Sequence, residues 1–285
     1  MTTTRLARES AVQRVVYALA GLSWLVLAWR APWSSVGGFS GATAVVASVW
    51  GWLAWFTVAV AVLVASPASL TIVRLVVPIA VVASVVDADP IASAVAALAL
   101  VVSTSGTFSD AMVQGGAYGD ERRFCLRTPV PQMAPATLAW ALLVSTTIGG
   151  SLVAAEQVWL VAVPLVAAGA ALAWLVPVRL HRLSRRWLVL VPAGVVVHDH
   201  LVLGETIMVK RHGIASVSIA ATPGEAFDLT GGTAGPRLEV ALRSPEKVIV
   251  SDLTARVLGI NGAAHVSTFA IAAKRTGAAY SALSR

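Results

Sequence analysis

Two histidines flank an aspartate at His198-Asp199-His200, and on an extended strand that spacing turns both imidazoles to one side, where a metal ion could be gripped. No third ligand is identifiable near them, so an exposed hairpin end accounts for the trio more simply. The glycine run Gly231-Gly232-Thr233-Ala234-Gly235 offers close backbone approach but lacks the following Lys-Ser/Thr and helix that a phosphate cradle needs, so it reads as a flexible loop. Cys125 is the sole cysteine, which excludes an intramolecular disulfide and multi-cysteine zinc chemistry. No HExxH, GxSxG, phosphate-loop or kinase pattern occurs. The chain is therefore expected to be no enzyme and to need no cofactor.

What remains is charge at boundaries. Tyr118-Gly119-Asp120-Glu121-Arg122-Arg123 sets two acids beside two arginines and forms a candidate interaction site, through an ion-pair cluster that docks on another domain or through contact with lipid headgroups. Arg179, Arg182, Arg185 and Arg186 follow a long apolar run and are candidate headgroup contacts.

The elements that position these residues are mostly apolar. With 57% hydrophobic and 12% charged residues, the chain carries far less charge than the roughly 25% of a soluble domain. A membrane crossing takes roughly 20 apolar residues, and six stretches qualify: 12–29, 43–65, 70–86, 91–104, 135–155 and 158–178. The fourth is short, and with the turn Asp87-Ala88-Asp89-Pro90 it could form a re-entrant pair with the third. The polar N-terminus leads into an uncleaved first helix, because Trp29, Arg30, Pro32 and Trp33 stand where a cleavage site needs small residues.

Arginines assign the sides. Arg5, Arg8 and Arg14 precede the first stretch, Arg122, Arg123 and Arg127 lie in the loop 105–134, and Arg179 to Arg186 follow the sixth; the opposite side holds Asp87, Asp89, Glu156 and a single cation, Arg30. Positive residues stay inside, so both termini are expected in the cytoplasm of a cell-membrane protein. Arg74 is expected to snorkel from the third stretch to the interface. Trp24, Trp29, Trp33, Trp159, Trp174 and Trp187 are expected at headgroup depth. Pro78 and Pro164 are candidate kinks. No acid or histidine lies near the centre of any stretch, which disfavours an ion-coupled pump.

From Arg179 the chain changes character. Thirteen Lys/Arg stand against seven Asp/Glu, compared with eight against seven up to Val178. Leu238, Val240 and Leu242 alternate with Arg237, Glu239 and Arg243, and Ala215, Val217 and Ile219 alternate with Ser216 and Ser218. With Trp187–Val191, Val195–Val197, Thr206–Val209 and Val248–Val250 these give about six strands of a small antiparallel β domain over 179–285. Val266, Phe269, Ala270, Ala273 and Tyr280 recur at helical spacing and predict a terminal helix.

Two resemblances follow from these residues. Tyr118 to Arg123 resembles a stretch of uncharacterised multi-pass membrane proteins of actinobacteria. The run WLVLVPAGVVVHDHLVLGETIMVKRHGIASVSI is similar to the first half of bacterial pleckstrin-homology-like domains, including an Ile-x-x-Val strand, Ile214-Ala215-Ser216-Val217. That resemblance implies a barrel closed by a helix. This chain departs from it in lacking the early Lys/Arg cluster of phosphoinositide-binding members, so headgroup recognition is not implied.

The expected architecture is thus an all-α membrane bundle of about six helices, 1–178, followed by the pleckstrin-homology-like β domain. The expected role is an anchor or adaptor for assembly or regulation at the cytoplasmic face. Expected partners are anionic lipid headgroups and a membrane or cytoplasmic protein, and not nucleic acid. The alternative is a transporter or lipid-handling protein for an uncharged or amphipathic substrate, motivated by Pro78, Pro164 and the re-entrant pair.

Overall fold

The computed structural model describes residues 2–35 and 38–284, with side chains from residue 11 onward, so those of Arg5 and Arg8 lie outside the described residues. The chain divides into two compact units: Met1–Met112 with Ala136–Leu180, and Val113–Pro135 with His181–Arg285.

The first unit is helical. It contains α1 (Thr2–Arg30), α2 (Gly41–Leu63), α3 (Pro67–Val86), α4 (Pro90–Thr104), most of α5 (Gly106–Gln114) and of α6 (Val130–Val144), α7 (Gly150–Ala155) and most of α8 (Trp159–Ser184). A π-helical turn, Ser145–Gly149, joins α6 to α7. Among the described residues, five stretches are long and apolar enough to cross a membrane: Ala11–Ser34, Gly41–Leu63, Pro67–Val86, Val130–Ala155 and Trp159–Ser184. The sixth candidate is broken. α4 and α5 meet at 59°, because Ser105 leaves helical dihedrals and its hydroxyl accepts the Phe108 N–H at 3.2 Å, capping a new helix. The fourth stretch is therefore followed by α5, in a bent pair with it, where sequence suggested only polar loop.

Hydrogen bonds tie helix ends together. Arg30 donates to Asp89 from Nε at 2.8 Å and Nη2 at 2.6 Å, and Thr43 donates to Glu156. Asp89 also caps α4 by accepting the Ile91 and Ala92 N–H groups. The Ala92 amide first, and the Arg30 guanidinium with it, hold the Asp89 carboxyl below the usual range. Arg74 donates to Ser109 of α5 at 3.1 Å, beside the buried Asp110, so its head is engaged by a neighbouring helix rather than simply extended to the interface.

The tryptophans sort into two groups. Trp29, Trp159 and Trp174 are exposed, as anchors would be; Trp24, Trp33 and Trp187 are buried, contrary to expectation, because each has partners of its own. Trp24 and Trp55 exchange hydrogen bonds, each Nε1 donating to the other's carbonyl at 2.8 Å, which locks α1 to α2. Trp33, in a 3-10 turn after α1, lies edge-on to Trp52 and covers Gly51. A Cβ at Gly51 would lie 1.9 Å from Trp33 Cγ, so Gly51→Ala must expel the indole. It is expected to cost about 1–3 kcal/mol in thermal unfolding of the detergent-purified chain. In a Trp33→Ala background the same change should cost far less, and equal costs in both backgrounds would refute the contact.

The second unit is built from two four-stranded sheets. One has the order β1-β2-β3-β4, from β1 (Arg122–Cys125), β2 (Arg186–Val191), β3 (Gly194–Asp199) and β4 (Ile207–Lys210), all antiparallel. The other has the order β5-β7-β8-β6, from β5 (Ile214–Ala220), β6 (Phe227–Asp228), β7 (Arg237–Ile249) and β8 (Ala263–Ile271), with α9 (Asp252–Leu258) between the last two. β6 runs parallel to β8, so the sheets are not purely antiparallel. Isolated bridges Leu126↔Ala273 and Leu203↔Val250 link the sheets, and Phe124, Leu188, Leu238, Val240, Phe269 and Ile271 fill the space between them.

Two expectations are corrected here. Val248–Val250 is no separate strand, because β7 runs on to Ile249. The terminal helix is only α10 (Thr276–Leu283); Val266, Phe269 and Ala270 belong to β8. At the end of β8 the consecutive residues Phe269, Ala270 and Ile271 are all buried, so both faces are covered there and apolar residues depart from strict alternation, which imitates helical spacing. α10 packs against β5 and β7.

Candidate functional site

The candidate loop is part of the sheet. β1 pairs with β2 in register Arg122↔Leu190 to Cys125↔Trp187, and the chain then crosses to the other sheet: the Arg127 N–H donates to the Ala272 carbonyl, and the Lys274 N–H to that of Cys125, both at 2.8 Å. Phe124, Cys125 and Leu126 are buried at 1%, 0% and 3% exposure. The first strand of this unit thus precedes the second by two long apolar helices. Only the short Phe-Cys-Leu run in a polar loop signalled it, and a strand's pairing partner is not written in its own residues.

The charged residues do not act as expected of a docking cluster. Glu121 accepts from Arg123 Nε at 3.0 Å, Arg123 Nη2 at 2.5 Å and the Tyr118 N–H at 2.6 Å, so it organises its own turn. Gln114 completes that turn, donating to the Glu121 carbonyl and accepting the Arg123 N–H. Backbone pairing and apolar burial, rather than an ion-pair cluster, join the loop to the C-terminal strands. Tyr118 is 91% exposed. Asp120 and Arg122 line an open cleft of about 220 Å³ with Leu190, Val191, Pro192, Arg211 and Ala282. Arg122 also covers the Phe124 ring at 5.0 Å. Arg211 was not singled out by sequence, because its place here depends on the β4–β5 turn meeting β1.

Of the four arginines assigned to headgroups, Arg179, Arg182 and Arg185 are exposed. Arg186 is a correction. It is 1% exposed and grips Asp199 with Nε on Oδ1 at 2.7 Å and Nη2 on Oδ2 at 2.6 Å, while Nη1 donates to the Arg127 carbonyl at 2.5 Å. Asp199 Oδ1 also accepts the Leu201 and Val202 N–H groups. Buried and held through all three of its nitrogens, Arg186 is a structural ion pair. Arg127 acts similarly, donating to the Ala234 carbonyl and to Thr276 Oγ1, which ties down the glycine loop.

The two histidines meet edge-on, with ring centroids 4.3 Å apart, while Asp199 turns away to Arg186. Among the described residues no group of three His, Cys, Asp or Glu is placed to hold a metal. His198 instead continues a ladder across three strands: Arg123 over Trp187 at 5.3 Å, and Trp187 stacked on His198 at 5.0 Å. Burial pushes the His198 imidazole down to about 4, with His200, Arg185 and Arg123 adding to the fall and Asp199 opposing it. The folded state therefore refuses a proton that the unfolded chain accepts below its ordinary 6.5. Stability is expected to fall as pH drops from about 6.5 toward 4. His198→Gln should flatten hydrogen exchange of β2 and β3 over that range; an unchanged pH dependence would refute the assignment.

No protein-family model matches the chain, no curated protein matches it, and no solved structure matches the fold.

Proposed function

We propose that this chain is a non-enzymatic, multi-pass protein of the cell membrane whose helices anchor a pleckstrin-homology-like barrel at the cytoplasmic face as an adaptor for assembly or regulation. The observation that carries the reading is the interruption of the barrel. Val113–Pro135 and His181–Arg285 form one compact unit, and between them run two stretches apolar enough to cross a membrane. A single folded unit lies on one side of a bilayer, so those two helices form a hairpin. The arginine distribution puts that side in the cytoplasm. Two four-stranded sheets bridged at two places, with a C-terminal helix against β5 and β7, fit a barrel of the pleckstrin-homology kind.

A photo-crosslinking residue at the exposed Tyr118, in the full chain and in cells, is expected to capture a discrete protein partner. Arg211→Glu, at the neighbouring cleft, should abolish that adduct. Cysteines at Tyr118 and Ser284 should react only with reagents that reach the cytoplasm. If no adduct forms while reconstituted vesicles show substrate-dependent flux, the adaptor reading fails. The transport or lipid-handling alternative then stands, supported by the bent α4–α5 pair and the polar contact of Arg74 with Ser109.

A further inference from the structure

β5 is an open edge. Among the described residues, the order β5-β7-β8-β6 leaves one side of Ile214–Ala220 without a paired strand. α10 packs against β5, yet Ala215, Ser216, Ser218 and Ile219 stay exposed, Ile219 at 46%. A row of open N–H and C=O groups is a template for another strand, and edges are ordinarily blunted with lysine, proline or an inward charge. β5 carries none of these along its length, and its one irregularity, a bulge at Ala215, leaves Ser216–Ala220 regular.

The strand is also nearly symmetric in sequence. About Val217, Ser216 mirrors Ser218, Ala215 mirrors Ile219, and Ile214 mirrors Ala220, so each position meets a small or apolar equivalent when the strand is turned end for end. A two-fold interface asks for this self-complementarity. The flanks agree. Lys210 and Arg211 precede β5, Glu225 follows it, and all three are exposed. Antiparallel pairing brings the basic end of one copy toward the acidic end of the other, twice over, whereas parallel pairing sets like beside like.

We propose that β5 is a self-association strand: two copies of this chain pair antiparallel across β5 about a two-fold axis at Val217, joining their sheets into one. A strand pair alone buries little surface, so the contact is weak in dilute solution. Confinement of both copies to one bilayer raises their effective concentration.

The test uses the full chain in membranes with a short bismaleimide. Native Cys125 is 0% exposed and serves as the silent background. Val217→Cys is expected to give a crosslinked dimer, and Leu253→Cys, exposed on α9, only the collisional level. As a check that leaves the half-buried Val217 intact, co-expressed Ser216→Cys and Ser218→Cys copies should crosslink to each other more than either does to itself. Adding S216K/S218K is expected to lower dimer yield about tenfold, because like charges then sit directly opposite. S216K/S218E should restore it by placing lysine against glutamate. Equal yields at Val217 and Leu253, adducts only with a different protein, or dimers indifferent to both charge patterns would overturn the proposal.

Discussion

Arg186→Ala is expected to open the β unit, at a cost of about 3–5 kcal/mol. The alanine removes three donors and strands the carboxylate of Asp199, itself 2% exposed. The Arg127 carbonyl loses its guanidinium partner as well. Lysine is no substitute, since one ammonium cannot reproduce the paired contacts to Oδ1 and Oδ2. Asp199→Ala is expected to cost a similar amount, because it strands the guanidinium. The double variant should cost less than the sum of the two singles, the signature of a shared interaction. Amide hydrogen exchange of β2 and β3 in the full chain reads the effect locally. Retained protection in Arg186→Ala would show that the pair is dispensable.

The second large effect concerns β1. A fragment of His181–Arg285 alone is expected to lack a stable fold, because it gives up a whole edge strand, the buried Phe124 and Leu126, and the backbone bonds from Arg127 to Ala272 and from Lys274 to Cys125. Supplying the peptide Val113–Pro135 should restore dispersed amide resonances, and a fragment folded without it would refute the shared fold. In the full chain, Phe124→Ala removes a ring that is 1% exposed in the core between the sheets. That truncation is expected to cost about 3–5 kcal/mol, read by exchange of β1 and β2. A variant at Phe124 would thus lower the stability of strands some sixty residues away in sequence.

Much of this protein was determined by its sequence alone, for a physical reason. Lipid compatibility depends on long runs of apolar side chains, which are local, so five of the six candidate stretches reappear as long helices. Strand alternation is local too, and it located β5 and much of β7, while a short apolar run bounded by turn residues located β2. The weakness of the fourth stretch was visible in its length, and Ser105 supplied the bend. Only the tertiary structure decided what each residue faces. Arg186 and Trp187 look like membrane-exit residues in sequence; a bidentate carboxylate and a sheet interior made them structural. β8 carried a helical rhythm because its last residues, Phe269, Ala270 and Ile271, are buried on both faces and break the alternation. β1 was beyond reach of any local reading, since four residues in a polar loop become a strand through β2, whose register lies two helices further along the chain. The two histidines show the same division. Their spacing was legible as a pair, but what they pair with was fixed by Arg186 drawing Asp199 to one face and Trp187 stacking His198 on the other.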